Sequence, residues 1–329
     1  MRIDTASDVN DAPPASCLWT IARELDVVNQ IPELETKRIS AAYEIRVRAL
    51  LGGELPDVLM LRGRLDPQQW ALEWRLPWWL GVAYGLDASL SEQICLSNVV
   101  GLASIRLRDD LEDGELPGAT DAAAASSMSD LLHEAALEVY RRTFDGRSPF
   151  WTHLRERMSE WRAANVDGGS SRRLASRGAP LKISAFAVCV LTNRQDRFAL
   201  IDQSLDHALA AMVQYDHLID WRTDLAARRW NAFVAASTKA LDGGQASDSD
   251  VQLAMLTTDV IRDYVSEIVT GLHRAATLAS AAEVPGLASH LAQVAGALGE
   301  EGATLASRHR DILERGQQLL FGNQPPVAA

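Results

Sequence analysis

Two short runs of aspartate have side-chain types and spacings that could do chemistry. The first, IRLRDDLEDGEL at 105–116, carries Asp109, Asp110 and Asp113 just ahead of Gly114, a residue suited to closing a helix. The second, YDHLIDWRTDLAARRWN at 215–231, carries Asp216, Asp220 and Asp224. On a helix turning about 100° per residue, positions i, i+4 and i+8 form one slowly drifting stripe. Asp109 and Asp113 share such a stripe with Asn98, Gly101 and Ile105 deeper along it; Asp216, Asp220 and Asp224 share another, above Met212 and Ala208. Like charges at this spacing repel by roughly 0.2–0.5 kcal/mol per pair, and carboxylates at a helix C-terminus cost about 0.3–1 kcal/mol each. A bound cation reverses both signs. Carboxylate oxygens are the hard ligands of Mg²⁺, which takes one or two protein carboxylates per ion and completes its octahedron with water and phosphate oxygens. Two acidic helix ends facing each other would hold several such ions and leave places free for a diphosphate. Each run alone also fits a solvated helix end; the pair, in a chain with no rival site, points to metal.

Side chains used this way need long helices to carry them. The 329 residues are 47% hydrophobic and 23% charged, with Leu- and Ala-rich runs, Gly and Pro between them, and no sustained alternation at period two. The expectation is an all-α fold, with helices near 17–29, 33–51, 66–74, 77–86, 89–113, 126–145, 147–164, 180–194, 196–226, 228–241, 250–281 and 285–316. Polar breaks at 114–127, 165–180 and 241–250 read as loops within one domain over 17–316, between a lead at 1–16 and a tail at 317–329.

A net charge of −12 and a pI near 5.1 argue against nucleic acid or an anionic membrane as the main partner. Cys17, Cys95 and Cys189 are odd in number and form no CxxC pair, which predicts reduced core residues and no zinc site. The N-terminus lacks an apolar core of signal-peptide type, and no run has the roughly 18 apolar residues of a membrane span, so a cytoplasmic protein without stable membrane insertion is expected. There is no GxGxxG, Walker loop, HExxH or nucleophile elbow. His133, His153, His207 and His273 are scattered and read as ordinary surface or core histidines.

DDLED resembles the aspartate-rich DDxxD motif of class I isoprenoid synthases. The second segment is similar to the second motif of the squalene and phytoene synthase branch, with Asp216, Asp220 and Asp224 followed by Arg228, Arg229 and Trp230. Its spacing also resembles the Asn/Ser/Glu metal triad of terpene cyclases. The resemblance spans roughly 75–235 and implies a single-domain helical barrel of the class I isoprenoid (terpenoid) synthase type. It further implies a three-ion Mg²⁺ site, with Mn²⁺ as an alternative, and an allylic prenyl diphosphate substrate, of C15 or C20 length. A homodimer is left open. Departures narrow the reading. The second motif is not DDxxD, because His217 stands at its second position; EWRLP, with Arg75, is all that answers to the basic segment for isopentenyl diphosphate; and Arg308 with His309 only weakly replaces the Arg-Tyr pair of bacterial cyclases.

The expected activity is therefore that of a terpene cyclase: Mg²⁺ draws off the diphosphate as a leaving group, and the allylic carbocation cyclises in a dry cavity. A prenyltransferase is the alternative, and a non-catalytic helical partner subunit a second one. Cavity or cation-stabilising candidates are Tyr84, Gly101, Ile105, Phe186, Met212 and Tyr215, with Trp78, Trp79 and Trp221 also considered. Diphosphate candidates are Arg228 and Arg229, which the resemblance favours, and Lys182, with Arg172, Arg173 and Arg177 in a loop that could fold over the site. Arg106 and Arg108 read as partners of Asp110 or Glu112.

Overall fold

Runs rich in Leu and Ala, strong helix formers with little side-chain entropy to lose, fold as α-helices throughout, and no strand occurs among the described residues. The computed structural model describes residues 33–52, 71–114, 116, 122–166, 174–241 and 246–321; within these ranges a few side chains, Asp113 among them, fall outside the description. The expected lead, the helix at 17–29, Cys17, Arg172 and Arg173 lie outside the described residues, as do the side chains of Arg308 and His309.

The described elements are α1 Glu33–Leu51, α2 Ala71–Tyr84, α3 Ala88–Asp113, α4 Ala122–Thr143, α5 Pro149–Val166, a 3₁₀ turn Ala175–Gly178, α6 Leu181–Leu191, α7 Gln195–Ile219, α8 Trp221–Ala226, α9 Ala232–Ala240, α10 Asp248–Thr257, α11 Val260–Ala281 and α12 Pro285–Phe321. Packing closes a circuit: α2 lies on α12, α12 on α11, α11 on α7, α7 on α6, and α6 back on α2. Helices α3 and α4 pair against α2, with α1 over them. One apolar core fills the circuit, including Leu76, Leu80, Val188, Leu205 and Leu287; a second, with Tyr43, Trp74, Val99 and Leu132, joins α1 to α4. Cys95 and Cys189 are buried free thiols in these cores, as expected. No described helix is long and apolar enough to cross a membrane.

Three helix junctions differ from expectation, each for a local reason. The helices expected at 66–74 and 77–86 are, where described, one helix with Pro77 inside it. Proline cannot donate to the carbonyl four residues back, so the Glu73 carbonyl loses its helical partner. The Asn98 side chain replaces it, its Nδ2 donating to the Glu73 carbonyl at 2.5 Å. This bond ties α3 to α2 at the cavity wall described below. Asn98→Ala leaves that carbonyl unpaired and is expected to lower unfolding free energy by about 1–3 kcal/mol, read from the denaturant midpoint at constant slope.

The helix expected at 196–226 bends at Asp220 (φ −94°, ψ 10°), separating α7 from α8. The helix expected at 250–281 breaks at Thr258, whose extended backbone (φ −128°, ψ 171°) is supported by its own hydroxyl. That hydroxyl donates to the Ala254 carbonyl at 2.7 Å and accepts from the Val260 N–H at 3.3 Å, capping the next helix. At the far end α12 runs to Phe321, past the expected stop at 316.

Candidate functional site

Helix α3 starts on Asp87, whose side chain accepts from the Leu90 N–H at 3.1 Å, and ends on Gly114 at φ 70°, the left-handed closure its sequence suggested. Asp109 and Asp110 therefore ride its last turn and are half-buried. Asp113 completes that turn in the chain, while its side chain lies outside the description.

The second acidic arm survives the bend in its helix. The Asp220 N–H donates to the Asp216 carbonyl at 2.9 Å and the Asp224 N–H to the Asp220 carbonyl at 3.0 Å, so i→i+4 bonding runs through the junction. The arm closes on a left-handed cap: Arg228 takes φ 57° and the Arg229 N–H returns to the Asp224 carbonyl at 2.8 Å. Asn231, itself buried, then fastens the motif from below. Its Nδ2 donates to Asp224 Oδ2 at 2.8 Å and to the His217 carbonyl at 2.9 Å, while its Oδ1 accepts from the Phe233 and Val234 N–H groups and caps α9. Buried His217 accepts the Ala232 N–H on Nδ1 at 3.2 Å, which fixes a neutral ring protonated on Nε2. Burial, with help from Arg177, pushes its pKa down to about 4. Nothing in the spacing of the aspartates singles out Asn231; its signal is only an Asn directly before an apolar helix.

Asp216 is held away from an ordinary carboxylate. The protein mass around it pushes its pKa up to about 6, with Asp220 and Asp224 adding to the rise and Arg106 and Arg177 opposing it. Asp216 is nonetheless exposed to solvent at the surface. Arg106, on α3, lies in electrostatic reach of Asp216, on α7. Among the described residues, no group of three or more acidic, His or Cys side chains converges as a ready-made metal cage. The carboxylate oxygens of the two arms are the donor type that Mg²⁺ takes.

A cavity between the helices has about 790 Å³ of atom-free space, part of it open to solvent, and none of the described aspartates of the two arms lines it. Its walls are mainly apolar, with Leu102 and Ile105 from α3, Leu137 from α4, Met158 from α5, Ile183 from α6 and Leu209 from α7. Gly101 also lines it, and a Cβ there would sit in ordinary contact with Ala136 at 3.5 Å, so the glycine adds room without being forced by close packing. Gly101 and Ile105 are thus brought to the cavity. Tyr84, Phe186, Met212 and Tyr215 do not line it. Tyr84 donates to the Ala282 carbonyl at 2.7 Å with the Arg194 guanidinium over its ring, and Phe186 stacks on His153 and meets Phe198 edge-on. Met212 and Tyr215 pack into the main core, as does Trp79, and Trp221 is buried. The cavity's ring-bearing side chains are instead Tyr140 and His133.

The basic residues sort differently from expectation. Lys182 is 1% exposed and committed to Asp206 at 2.6 Å and Asp202 at 3.0 Å, so its charge is neutralised inside the fold and not offered to a diphosphate. Arg228 and Arg229 are exposed at the cap, with Arg229 Nε 3.4 Å from Asp224 Oδ1. Arg108 pairs with Asp130 across α3 and α4 at 2.6 Å. Arg177 lines the cavity and lies in electrostatic reach of Asp216 and His217. Its 3₁₀ turn is anchored by Ser176 Oγ donating to Glu160 at 2.8 Å and by Gly178, where any Cβ would run into Leu209.

No protein-family model and no curated protein matches this sequence. Among solved structures, a polyprenyl synthase from Roseobacter denitrificans matches with a TM-score of 0.59, covering 86% of this chain and 99% of that one at 14% identity. The chain has the class I isoprenoid synthase fold. At that identity the likeness carries the fold alone.

Proposed function

We propose that this protein ionises a linear allylic prenyl diphosphate in a Mg²⁺-dependent reaction, releases diphosphate, and guides the carbocation to a cyclic product in its apolar cavity. The reading is supported by Asp216, whose pKa burial and its neighbours Asp220 and Asp224 push up to about 6 with Arg106 of α3 in electrostatic reach, together with the largely apolar cavity lined by Ile105 of α3 and Leu209 of α7. Asp109, Asp110 and Asp113 on one side and Asp216, Asp220 and Asp224 on the other would hold the ions, Mn²⁺ serving as an alternative. When bound, the metal supplies charge neutralisation and Lewis-acid stabilisation of the departing diphosphate oxygens. The chain's own cations do the rest of the binding: Arg177 and Arg106 would take diphosphate oxygens at the mouth. Asn231 holds Asp224 in place. The apolar wall from Leu102 to Leu209 excludes water and folds the prenyl tail, so that the cation is quenched late.

Transfer of the prenyl group to a second substrate is the other reading, favoured by the polyprenyl synthase among the structural matches. Cyclisation is preferred because the second arm lacks a DDxxD pattern and no basic segment answers to a second diphosphate. The deciding experiment supplies C10, C15, C20 and C25 allylic diphosphates with and without isopentenyl diphosphate and identifies products by GC–MS. A cyclic hydrocarbon or alcohol from one substrate alone is expected. Longer linear or head-to-head products would replace cyclisation with transfer.

A further inference from the structure

Diphosphate chemistry at the mouth leaves one buried acid unexplained. Glu73 sits on α2 in the wall of the cavity, 6% exposed, and its Oε2 makes no hydrogen bond. A buried carboxyl oxygen without a partner in an apolar wall costs free energy that a leucine would not. The fold nevertheless fixes its position from two directions: Pro77 frees the Glu73 carbonyl, and Asn98 binds it at 2.5 Å. The charged and titratable groups around it are Arg106 on α3, in electrostatic reach, and the other cavity-lining groups His133 and Tyr140 on α4 and Arg177 on the 3₁₀ turn. Asn98, which holds the Glu73 carbonyl, precedes Asp109 by about three turns of α3, which sets Glu73 deeper than the acidic end of that helix.

We propose that Glu73 is the internal base of this cavity, taking the proton that the prenyl carbocation must lose to leave as a neutral olefin. The inference rests on the ionisation proposed above. In the step, a C–H bond on the carbon next to the cationic centre breaks, and its electron pair becomes the new double bond. The proton passes to Glu73. Cation and carboxylate become neutral olefin and carboxylic acid, and the proton returns to solvent once the product has gone. No oxidant or reductant is needed. The same carboxylate faces the cation before proton loss and stabilises it in a medium where water cannot screen the charge. Burial, opposed by a local backbone hydrogen bond and by Arg106, pushes the Glu73 pKa up to about 7, which makes the group a usable base near neutral pH.

The test compares wild type with Glu73→Gln and Glu73→Asp, scoring olefin and water-quenched alcohol by GC–MS for each diphosphate released. Glu73→Gln is expected to lower the ratio of olefin to diphosphate at least tenfold, with alcohol or an isomeric olefin rising. Glu73→Asp, which keeps a shorter carboxylate, is expected to shift the double-bond position. An unchanged product ratio in both variants would overturn the proposal and leave the released diphosphate as the base. Should Glu73→Gln fail to fold by circular dichroism, Glu73→Asp decides alone: an unaltered double-bond position refutes the base. Wild type that releases no diphosphate from any allylic substrate refutes the ionisation itself, a distinct failure.

Discussion

Replacing Asp220 with alanine is expected to lower Mg²⁺-dependent diphosphate release by on the order of 10²–10³-fold or more, the scale seen when one preorganised electrostatic contact to a transition state is removed. Asp220 stands at the junction of α7 and α8, between Asp216 and Asp224 in the i→i+4 chain. Its side chain is exposed, so helicity and melting temperature should stay close to wild type. A second readout does not depend on turnover. Asp220 is the largest neighbouring charge raising the Asp216 pKa, second only to burial, so its removal should move the Asp216 titration down from about 6. Asp109→Ala on the opposite arm should abolish turnover in the same way. Full activity in either variant would remove the acidic arms from the reaction.

Replacing Glu73 with glutamine is expected to stabilise the protein by about 3 kcal/mol at pH 8 and hardly at all at pH 4. The sign follows from the direction of the shift. Burial raises the Glu73 pKa from an ordinary 4.5 to about 7, so below 4.5 folded and unfolded chains both carry the proton and the group costs nothing. As pH rises from 4.5 to 7 the unfolded chain ionises first, and stability is lost across that window. Glutamine matches the protonated acid in shape and cannot ionise. Denaturant unfolding of both proteins at several pH values reads the difference directly; a gap that stays constant from pH 4 to pH 8 would show that Glu73 is not a strained carboxyl. Greater stability with altered products is the pattern expected of a residue kept for chemistry at the fold's expense.

The all-helical fold was legible because apolar periodicity dominates this chain. Helix α1 falls on the expected 33–51, and α3 differs from expectation only in starting at Ala88. Spacing also anticipated the i, i+4, i+8 register of Asp216, Asp220 and Asp224, which survives the bend at Asp220. What spacing could not convey was tertiary repair. The pattern rule that proline ends a helix failed at Pro77 because Asn98, twenty-one residues on, satisfies the freed carbonyl. The same contact fixes Glu73 in the wall, yet in the string ALEWRLPWWL that glutamate looks like an ordinary solvated acid. Lys182 looked available because sequence hides Asp202 and Asp206, one helix away. The aromatic candidates failed as cavity residues for a related reason: large rings in a big helical protein pack the core first, and Tyr84, Phe186 and Tyr215 do so here. Arg177 sat among several loop arginines, and only the close approach of Gly178 to Leu209 singles it out.

The most direct measurement is the release of inorganic diphosphate from C15 and C20 allylic diphosphates by the purified protein, in Mg²⁺ and in EDTA, followed by a coupled assay that ignores the identity of the organic product. Release that appears with Mg²⁺, vanishes in EDTA and is lost in Asp220→Ala is the predicted result. Diphosphate that remains esterified with C10 to C25 substrates in Mg²⁺ or Mn²⁺, with or without isopentenyl diphosphate, would contradict the account and leave a helical scaffold without this chemistry.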